Sequence, residues 1–190
     1  MRATGLGFWI GALLGAAALA TPAQAGLLGQ TITLEYNYLV PAATTDSILV
    51  GAGVEVTCTG GGSGNANVCT MLTAPNQYLD IGDTTIAYSY SGSQPGGFNP
   101  VTPNGMTFAN LDLGAPIVDV LIDTGISGLD DTRVSFTATS VTLQMGGLAL
   151  GLSNYFTLTL VTVPEPWSLG CLAAGLAALT ATRRRARQTA

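Results

Sequence analysis

Residues 31–38 read Thr31-Ile-Thr-Leu-Glu-Tyr-Asn-Tyr38, and an apolar or aromatic side chain occupies every second position. Successive side chains of a β-strand point to opposite faces, so this period of two predicts a strand with one buried face. Threonine, glutamate and asparagine fill the positions between, as suits a face turned to solvent. The stretch therefore predicts a sheet that covers a core on one side.

The same alternation recurs further along the chain. It is clearest at residues 85–90, 133–139 and 156–160. A slip of phase before Val141 and Leu143 predicts a β-bulge there. Further strand candidates are residues 47–57, 77–81, 105–111 and 116–122. Turn-forming sequences separate them, and no stretch between residues 26 and 163 has an apolar period of 3.6 residues. We therefore predict that residues 26–163 form an all-β ectodomain, an antiparallel β-sandwich-like fold.

The N-terminus has the three parts of a secretory signal. Arg2 supplies a minimal positive charge, residues 5–20 are apolar, and residues 21–25 end in Ala-Gln-Ala. This pattern predicts a signal peptide over residues 1–25 that is cleaved between Ala25 and Gly26. An uncleaved N-terminal anchor is the alternative.

The C-terminus also has three parts. Pro164-Glu165-Pro166 precede an uncharged apolar run over residues 167–182. As a helix the run would rise about 24 Å, slightly short of a ~30 Å hydrocarbon core. Arginines follow it and would hold this end on the cytoplasmic side. They are Arg183, Arg184, Arg185 and Arg187. Residues 167–182 are therefore predicted to form a transmembrane helix.

This tail, residues 164–190, resembles the PEP-CTERM sorting signal of Gram-negative bacteria. The resemblance implies that the chain is held transiently in the inner membrane and that an exosortase cuts it near Pro164-Glu165-Pro166. It further implies release to the cell surface or the extracellular polymer matrix. An ordinary C-terminal anchor would need only the apolar run and the basic end. Residues 98–113, 117–122 and 131–136 resemble an ectodomain that recurs before such tails, and this second resemblance implies no activity.

The charge of the predicted ectodomain excludes one class of partner. Residues 26–163 contain Arg133 as their only basic residue and ten acidic residues, which gives a formal charge of −9. The whole chain has no lysine. Because a phosphate backbone or an anionic membrane would repel such a surface, we expect no binding to nucleic acid.

Cys58 and Cys69 bracket a glycine-rich segment that could close easily. In an oxidising compartment they are predicted to form a disulfide that stabilises the fold by about 3 kcal/mol, and free buried thiols are the alternative. A zinc site would need further ligands, and the chain has no histidine. We therefore predict no metal and no cofactor.

The missing residue types also restrict catalysis. Without histidine or lysine, catalytic triads and Schiff-base chemistry are excluded. One enzymatic motif remains, because Asp123-Thr124-Gly125 after an apolar strand resembles the signature of retropepsin-like aspartic proteases. Such enzymes need two aspartates that share a proton, and this chain has a single copy. The prediction is that there is no catalytic residue.

Other side chains allow further interpretations. Asp80, Asp83, Asp130 and Asp131 are calcium-ligand candidates, although solvated turn residues are the simpler explanation. Glu35 and Glu55 could in principle form a glycosidase pair, but Glu35 falls on a solvent-facing position. Five tyrosines could form a sugar-stacking platform, although their phase matches the core-facing set. They are Tyr36, Tyr38, Tyr78, Tyr88 and Tyr90.

Together these patterns predict a non-enzymatic, exported bacterial protein that an exosortase sorts to the cell surface or exopolysaccharide matrix. Its ectodomain would be a structural or interaction component of that matrix, with exopolysaccharide as a partner. A carbohydrate-binding module is the alternative, and an aspartic protease acting through Asp123 is the third candidate.

Overall fold

The computed structural model describes residues 26–163, which form thirteen β-strands and two short 3₁₀ turns. The strands are β1 (Thr31–Tyr38), β2 (Val40–Leu49), β3 (Val56–Gly60), β4 (Ser63–Gly64), β5 (Gln77–Ile81), β6 (Thr85–Ser91), β7 (Gly96–Gly97), β8 (Asn104–Ala109), β9 (Ile117–Thr124), β10 (Val134–Thr137), β11 (Ser140–Gln144), β12 (Ala149–Leu150) and β13 (Ser153–Thr162). The 3₁₀ turns are Asn67–Thr70 and Asp131–Arg133. Between residues 26 and 163 no helix is long and apolar enough to cross a membrane.

The strands form two large sheets and one small one. The five-stranded sheet has the order β10-β11-β8-β1-β2, and the six-stranded sheet has the order β4-β3-β5-β6-β13-β9. A two-stranded sheet pairs β12 with β7. Every pairing is antiparallel. The chain crosses between the large sheets several times, as in other sandwich folds.

One hydrophobic core joins the two large sheets. Alternate residues of β1 and β8 supply it from the five-stranded sheet, and alternate residues of β6 and β13 supply it from the six-stranded sheet. Tyr88 and Phe156 stack within it, with ring centroids 5.1 Å apart. Their centroid separation suits an offset aromatic pair. The predicted all-β, antiparallel, sandwich-like class is confirmed for the described residues.

Several predicted strands match the structure closely. Residues 31–38 are β1, and the candidates at residues 77–81 and 85–90 correspond to β5 and β6. Residues 156–160 lie inside the longer β13. In β1, β6 and β13 the alternating residues face the core as the period of two predicts.

Two strand predictions were wrong in detail. The candidate at residues 47–57 spans the end of β2, a loop and the start of β3, because both ends contain apolar residues that face the same core. The phase slip before Val141 is a hairpin turn at residues 138–139 rather than a bulge, since Thr137 pairs with Ser140 and Phe136 pairs with Val141. Phe136 keeps 42% of its surface exposed because β10 is the edge strand.

Candidate functional site

A cleft of about 470 Å³ opens where β1 ends and where β5 and β8 begin. Both large sheets, the small sheet and the segment after the first 3₁₀ turn contribute to its walls. Its volume lies in the range of small-molecule sites. Its lining includes Tyr36, Tyr38, Gln77, Phe98, Asn99 and Asn104.

A chain of hydrogen bonds connects one wall of the cleft to its mouth. The buried Tyr36 hydroxyl donates to Asn104 Oδ1 at 2.8 Å, and Asn104 Nδ2 donates to the Asn99 carbonyl at 2.7 Å. The Asn99 side chain then donates through Nδ2 to the Tyr38 hydroxyl at 2.9 Å. Asn104 is only 1% exposed, so both of its polar atoms are committed to the fold. This series of hydrogen bonds holds Asn99 and Tyr38 at the mouth in a defined arrangement.

A second series of hydrogen bonds supports the opposite wall of the cleft. The Tyr88 hydroxyl donates to Gln77 Oε1 at 2.6 Å, and Gln77 Nε2 donates to the Ala74 carbonyl at 2.8 Å. Gln77 is 2% exposed, and these two bonds satisfy a buried amide that would otherwise be costly. Gln77 therefore fixes the segment before β5 against the core.

Tyr36 and Tyr88, which begin the two series of hydrogen bonds, remain protonated. Burial, with a smaller contribution from Tyr38, raises the pKa of the Tyr36 hydroxyl well above its usual range. Burial, with Tyr36 and Tyr90 nearby, raises the pKa of Tyr88 in the same direction. A phenol held neutral in this way is a hydrogen-bond donor at physiological pH, which suits the acceptor oxygens of Asn104 and Gln77.

The structure divides the five predicted tyrosines into three groups. Tyr36, Tyr88 and Tyr90 are buried, as their phase predicted. Tyr38 shares the phase of Tyr36 but lies half-buried at the cleft. Tyr78 was assigned to the core-facing set and this was wrong, because it alternates with the buried Gln77 and Leu79 and so faces outwards.

The predicted disulfide between Cys58 and Cys69 is present, with the two Cα atoms 5.2 Å apart. It joins β3 to the first 3₁₀ turn. Gly64 lies so close to this crosslink that a Cβ there would collide with Cys69 Sγ and the Thr57 carbonyl. The loop between the cysteines therefore packs tightly at this glycine, although its sequence suggested only flexibility.

Asp46 is the structural residue that sequence reasoning missed. Its two carboxylate oxygens accept hydrogen bonds from the backbone N–H groups of Asn67 and Val68, each at 2.7 Å. Asp46 lies on β2 opposite Leu34, on the core-facing side, and is buried. It thereby ties the edge of the five-stranded sheet to the disulfide loop. The only sign of this role in the sequence was a charged residue at a position of β2 that the alternation places on the core-facing side.

Asp123 lies on the outer face of the six-stranded sheet and is exposed. It belongs to β9, opposite Thr157, so it is a strand residue. It does not line the cleft. Gly125 follows β9, and its N–H donates to the Tyr155 carbonyl.

The other carboxylates are placed apart. Glu35 lies on β1 of the five-stranded sheet, whereas Glu55 precedes β3 and accepts bonds from the N–H groups of Gly51 and Ile81 at 2.8 and 2.7 Å. Asp130 accepts from the Thr132 N–H at 3.0 Å and caps the second 3₁₀ turn. Within residues 26–163, no three acidic or cysteine side chains converge as ligands of one ion.

The predicted targeting segments lie outside the described residues. These are the signal peptide at 1–25 with Ala25, the motif Pro164-Glu165-Pro166, the apolar run at 167–182 and the arginines from Arg183 to Arg187. Gly26, on the other side of the predicted cleavage site, is buried, and its carbonyl accepts a bond from Gln30 Nε2 at 2.7 Å.

Comparison with known protein families, with curated proteins and with solved structures finds no match to this chain.

Proposed function

We propose that the chain is exported and sorted by an exosortase to a bacterial cell surface or exopolysaccharide matrix, where residues 26–163 serve as a structural or interaction component. The observation that carries this proposal is the tripartite C-terminus, in which Pro164-Glu165-Pro166 precede an uncharged run and an arginine cluster. The signal-like N-terminus agrees with it, because both ends direct the chain into the same export route.

Two features of the described residues support this proposal. The disulfide between Cys58 and Cys69 suits an oxidising compartment. The carboxylates of Asp46, Glu55 and Asp130 are engaged in backbone hydrogen bonds that hold loops in place. Carboxylates used in this way stabilise loops, which suits a structural role for the body.

Mass spectrometry of the form released by the producing bacterium tests the sorting. We expect an N-terminus at Gly26 and no residue beyond about Trp167. The variant Glu165→Ala should stay in the membrane with an intact C-terminus, while Gln188→Ala, beyond the arginine cluster, should be processed normally. Released protein that still carries the peptide from Arg183 to Ala190 would overturn the proposal.

A carbohydrate-binding module is the second candidate, and the cleft favours it. The cleft combines aromatic rings with amide groups, which together suit a ligand with apolar faces and many hydroxyls. This candidate is compatible with the sorting proposal, since an exopolysaccharide would then be the ligand in the matrix.

A further inference from the structure

The mouth of the cleft presents one donor and one acceptor side by side. Tyr38 Oη accepts the bond from Asn99 Nδ2 at 2.9 Å, so its own proton is still available to donate. Asn99 Oδ1 is likewise available to accept. Among residues 26–163, neither group makes another hydrogen bond to the protein. Asn99 is exposed and Tyr38 is half-buried, so a ligand can reach both.

The fold holds the backbone of Asn99 in place, and the bond to Tyr38 Oη holds its side chain. The Asn99 carbonyl accepts bonds from Asn104 Nδ2 at 2.7 Å and from the Val101 N–H at 2.8 Å. Asn104 is itself fixed by Tyr36, and its carbonyl accepts from the Met145 N–H at 2.7 Å. A preorganised pair of this kind loses little conformational entropy on binding. Asn104 is thus a positioning residue for Asn99.

The chemistry of the cleft restricts the ligand. Each hydroxyl of a vicinal diol can donate and accept, so one can accept from Tyr38 while its neighbour donates to Asn99 Oδ1. Tyr38, which is half-buried, lines the cleft together with the largely buried Phe98 and offers an aromatic ring to the C–H face of a sugar. Among residues 26–163, no charged side chain lines the cleft. A charged ligand would lose hydration there without a counter-charge, and the formal charge of −9 on residues 26–163 would repel an anion.

We propose that the cleft beside Tyr38 and Asn99 binds a neutral saccharide through two adjacent hydroxyls of one sugar ring. This inference rests on the second proposed function and adds to it the site, the charge class of the ligand and the groups that recognise it. The outer face of the six-stranded sheet is the competing location, because Tyr155 is 44% exposed there.

The test uses the full chain, purified in a detergent without a sugar head group, because sugar detergents would compete. The probes are neutral oligosaccharides of glucose, galactose and mannose, with a uronic acid oligosaccharide as the anionic comparison. Binding is measured by titration calorimetry. We expect at least one neutral probe to bind and the anionic probe to bind much more weakly. Removing one hydroxyl of the recognised pair from the sugar should weaken binding about tenfold.

Four variants locate the site. Tyr38→Phe keeps the ring and removes the donor, and Asn99→Ala removes the acceptor, so each should weaken the binding of the neutral probe about tenfold. Tyr155→Phe removes an exposed hydroxyl from the other face and should leave the affinity unchanged. Urea unfolding of each variant shows whether it folds. Asn99→Asp is the third cleft variant: it keeps the shape but loses the Nδ2–H that donates to Tyr38 Oη, so it should also weaken binding of the neutral probe.

The outcomes separate the two levels of the proposal. If a neutral probe binds but Tyr38→Phe and Asn99→Ala retain full affinity, the site is wrong while carbohydrate binding stands. The same conclusion follows if Tyr155→Phe abolishes binding. If none of the neutral probes binds, both the site and the second proposed function are overturned, whereas the sorting proposal is decided separately by mass spectrometry.

Discussion

At the scale of single residues, Asp46 shows how one side chain can join two distant parts of the chain. Its carboxylate accepts two backbone N–H groups that lie 21 and 22 residues further along the sequence. Bonds to a buried charged acceptor are stronger than neutral ones. They also replace the hydration that the carboxylate loses on burial.

Replacing Asp46 tests this contribution. In Asp46→Asn only one oxygen remains as an acceptor, and the new NH₂ group faces a backbone donor. We expect the free energy of unfolding to fall by about 1–3 kcal/mol, measured by urea denaturation. Asp80→Asn is the matched control, because Asp80 is exposed on β5, and it should change stability by less than about 0.5 kcal/mol. Equal effects of the two substitutions would contradict the assigned role.

Tyr36 and Tyr88 predict how stability depends on pH. Burial raises both pKa values in the folded state, whereas in the unfolded chain a tyrosine titrates near pH 10. The folded state therefore holds these protons more tightly. Their contribution to stability is complete below about pH 10 and is lost as the pH rises further.

Urea midpoints measured between pH 8 and pH 11 should stay level and then fall above about pH 10. The double variant Tyr36→Phe, Tyr88→Phe should show a shallower fall, although its stability at neutral pH is lower. The matched control is Tyr155→Phe, which removes an exposed hydroxyl and leaves both Tyr36 and Tyr88 in place. An unchanged slope in the double variant would show that other groups cause the alkaline loss.

At the scale of elements, the disulfide loop stabilises one edge of the six-stranded sheet. The crosslink between Cys58 and Cys69 closes a loop of sequence separation 11, and the 3₁₀ turn within it is also held by Asp46. Because the loop carries glycines at positions 60, 61, 62 and 64, it has much conformational freedom in the unfolded chain. The crosslink reduces that freedom.

Removing the crosslink should be costly. The double variant Cys58→Ala, Cys69→Ala is expected to lose about 3 kcal/mol of unfolding free energy in urea titrations. Thiol labelling in a Cys171→Ser background should modify neither cysteine in the unfolded, unreduced protein and both after reduction. Dye reacting with both cysteines before reduction would show that the disulfide is absent in solution.

At the scale of the whole molecule, the placement of Asp123 bears on catalysis. Proton sharing between two aspartates requires that they meet in a protected site. Asp123 instead lies exposed on the outer face of β9, where it pairs with Thr157 of β13. A second copy of the chain would have to cover this face to create a catalytic pair.

We expect no cleavage of unfolded protein substrates by the full chain at mildly acidic pH. Asp123→Asn should unfold at the same urea concentration as the wild type and behave identically in that assay. Asp119→Asn, on the same strand, is the control for a general effect of charge. Proteolysis that pepstatin inhibits and that Asp123→Asn abolishes would overturn the non-enzymatic proposal.

The all-β class and several strands could be predicted from the sequence because the relevant information is local. In β1, β6 and β13 each side chain's face follows from its neighbours two positions away. The disulfide was predictable for a similar reason, since a short, glycine-rich segment separates its cysteines. The hairpin at β10 and β11 was missed because a phase slip looks the same whether the chain bulges or turns back.

The cleft and the role of Asp46 were decided only by the tertiary structure. Tyr38 and Asn99 are 61 residues apart, and Tyr36 and Asn104 are 68 apart, so their contacts depend on how β1 pairs with β8 and how both sheets close on one core. By contrast, the alternation of side chains, the charge of the body and the sequence patterns at both ends are properties of consecutive residues. Local spacing determines which face a side chain occupies, whereas strand register and sheet packing determine which distant side chain it meets.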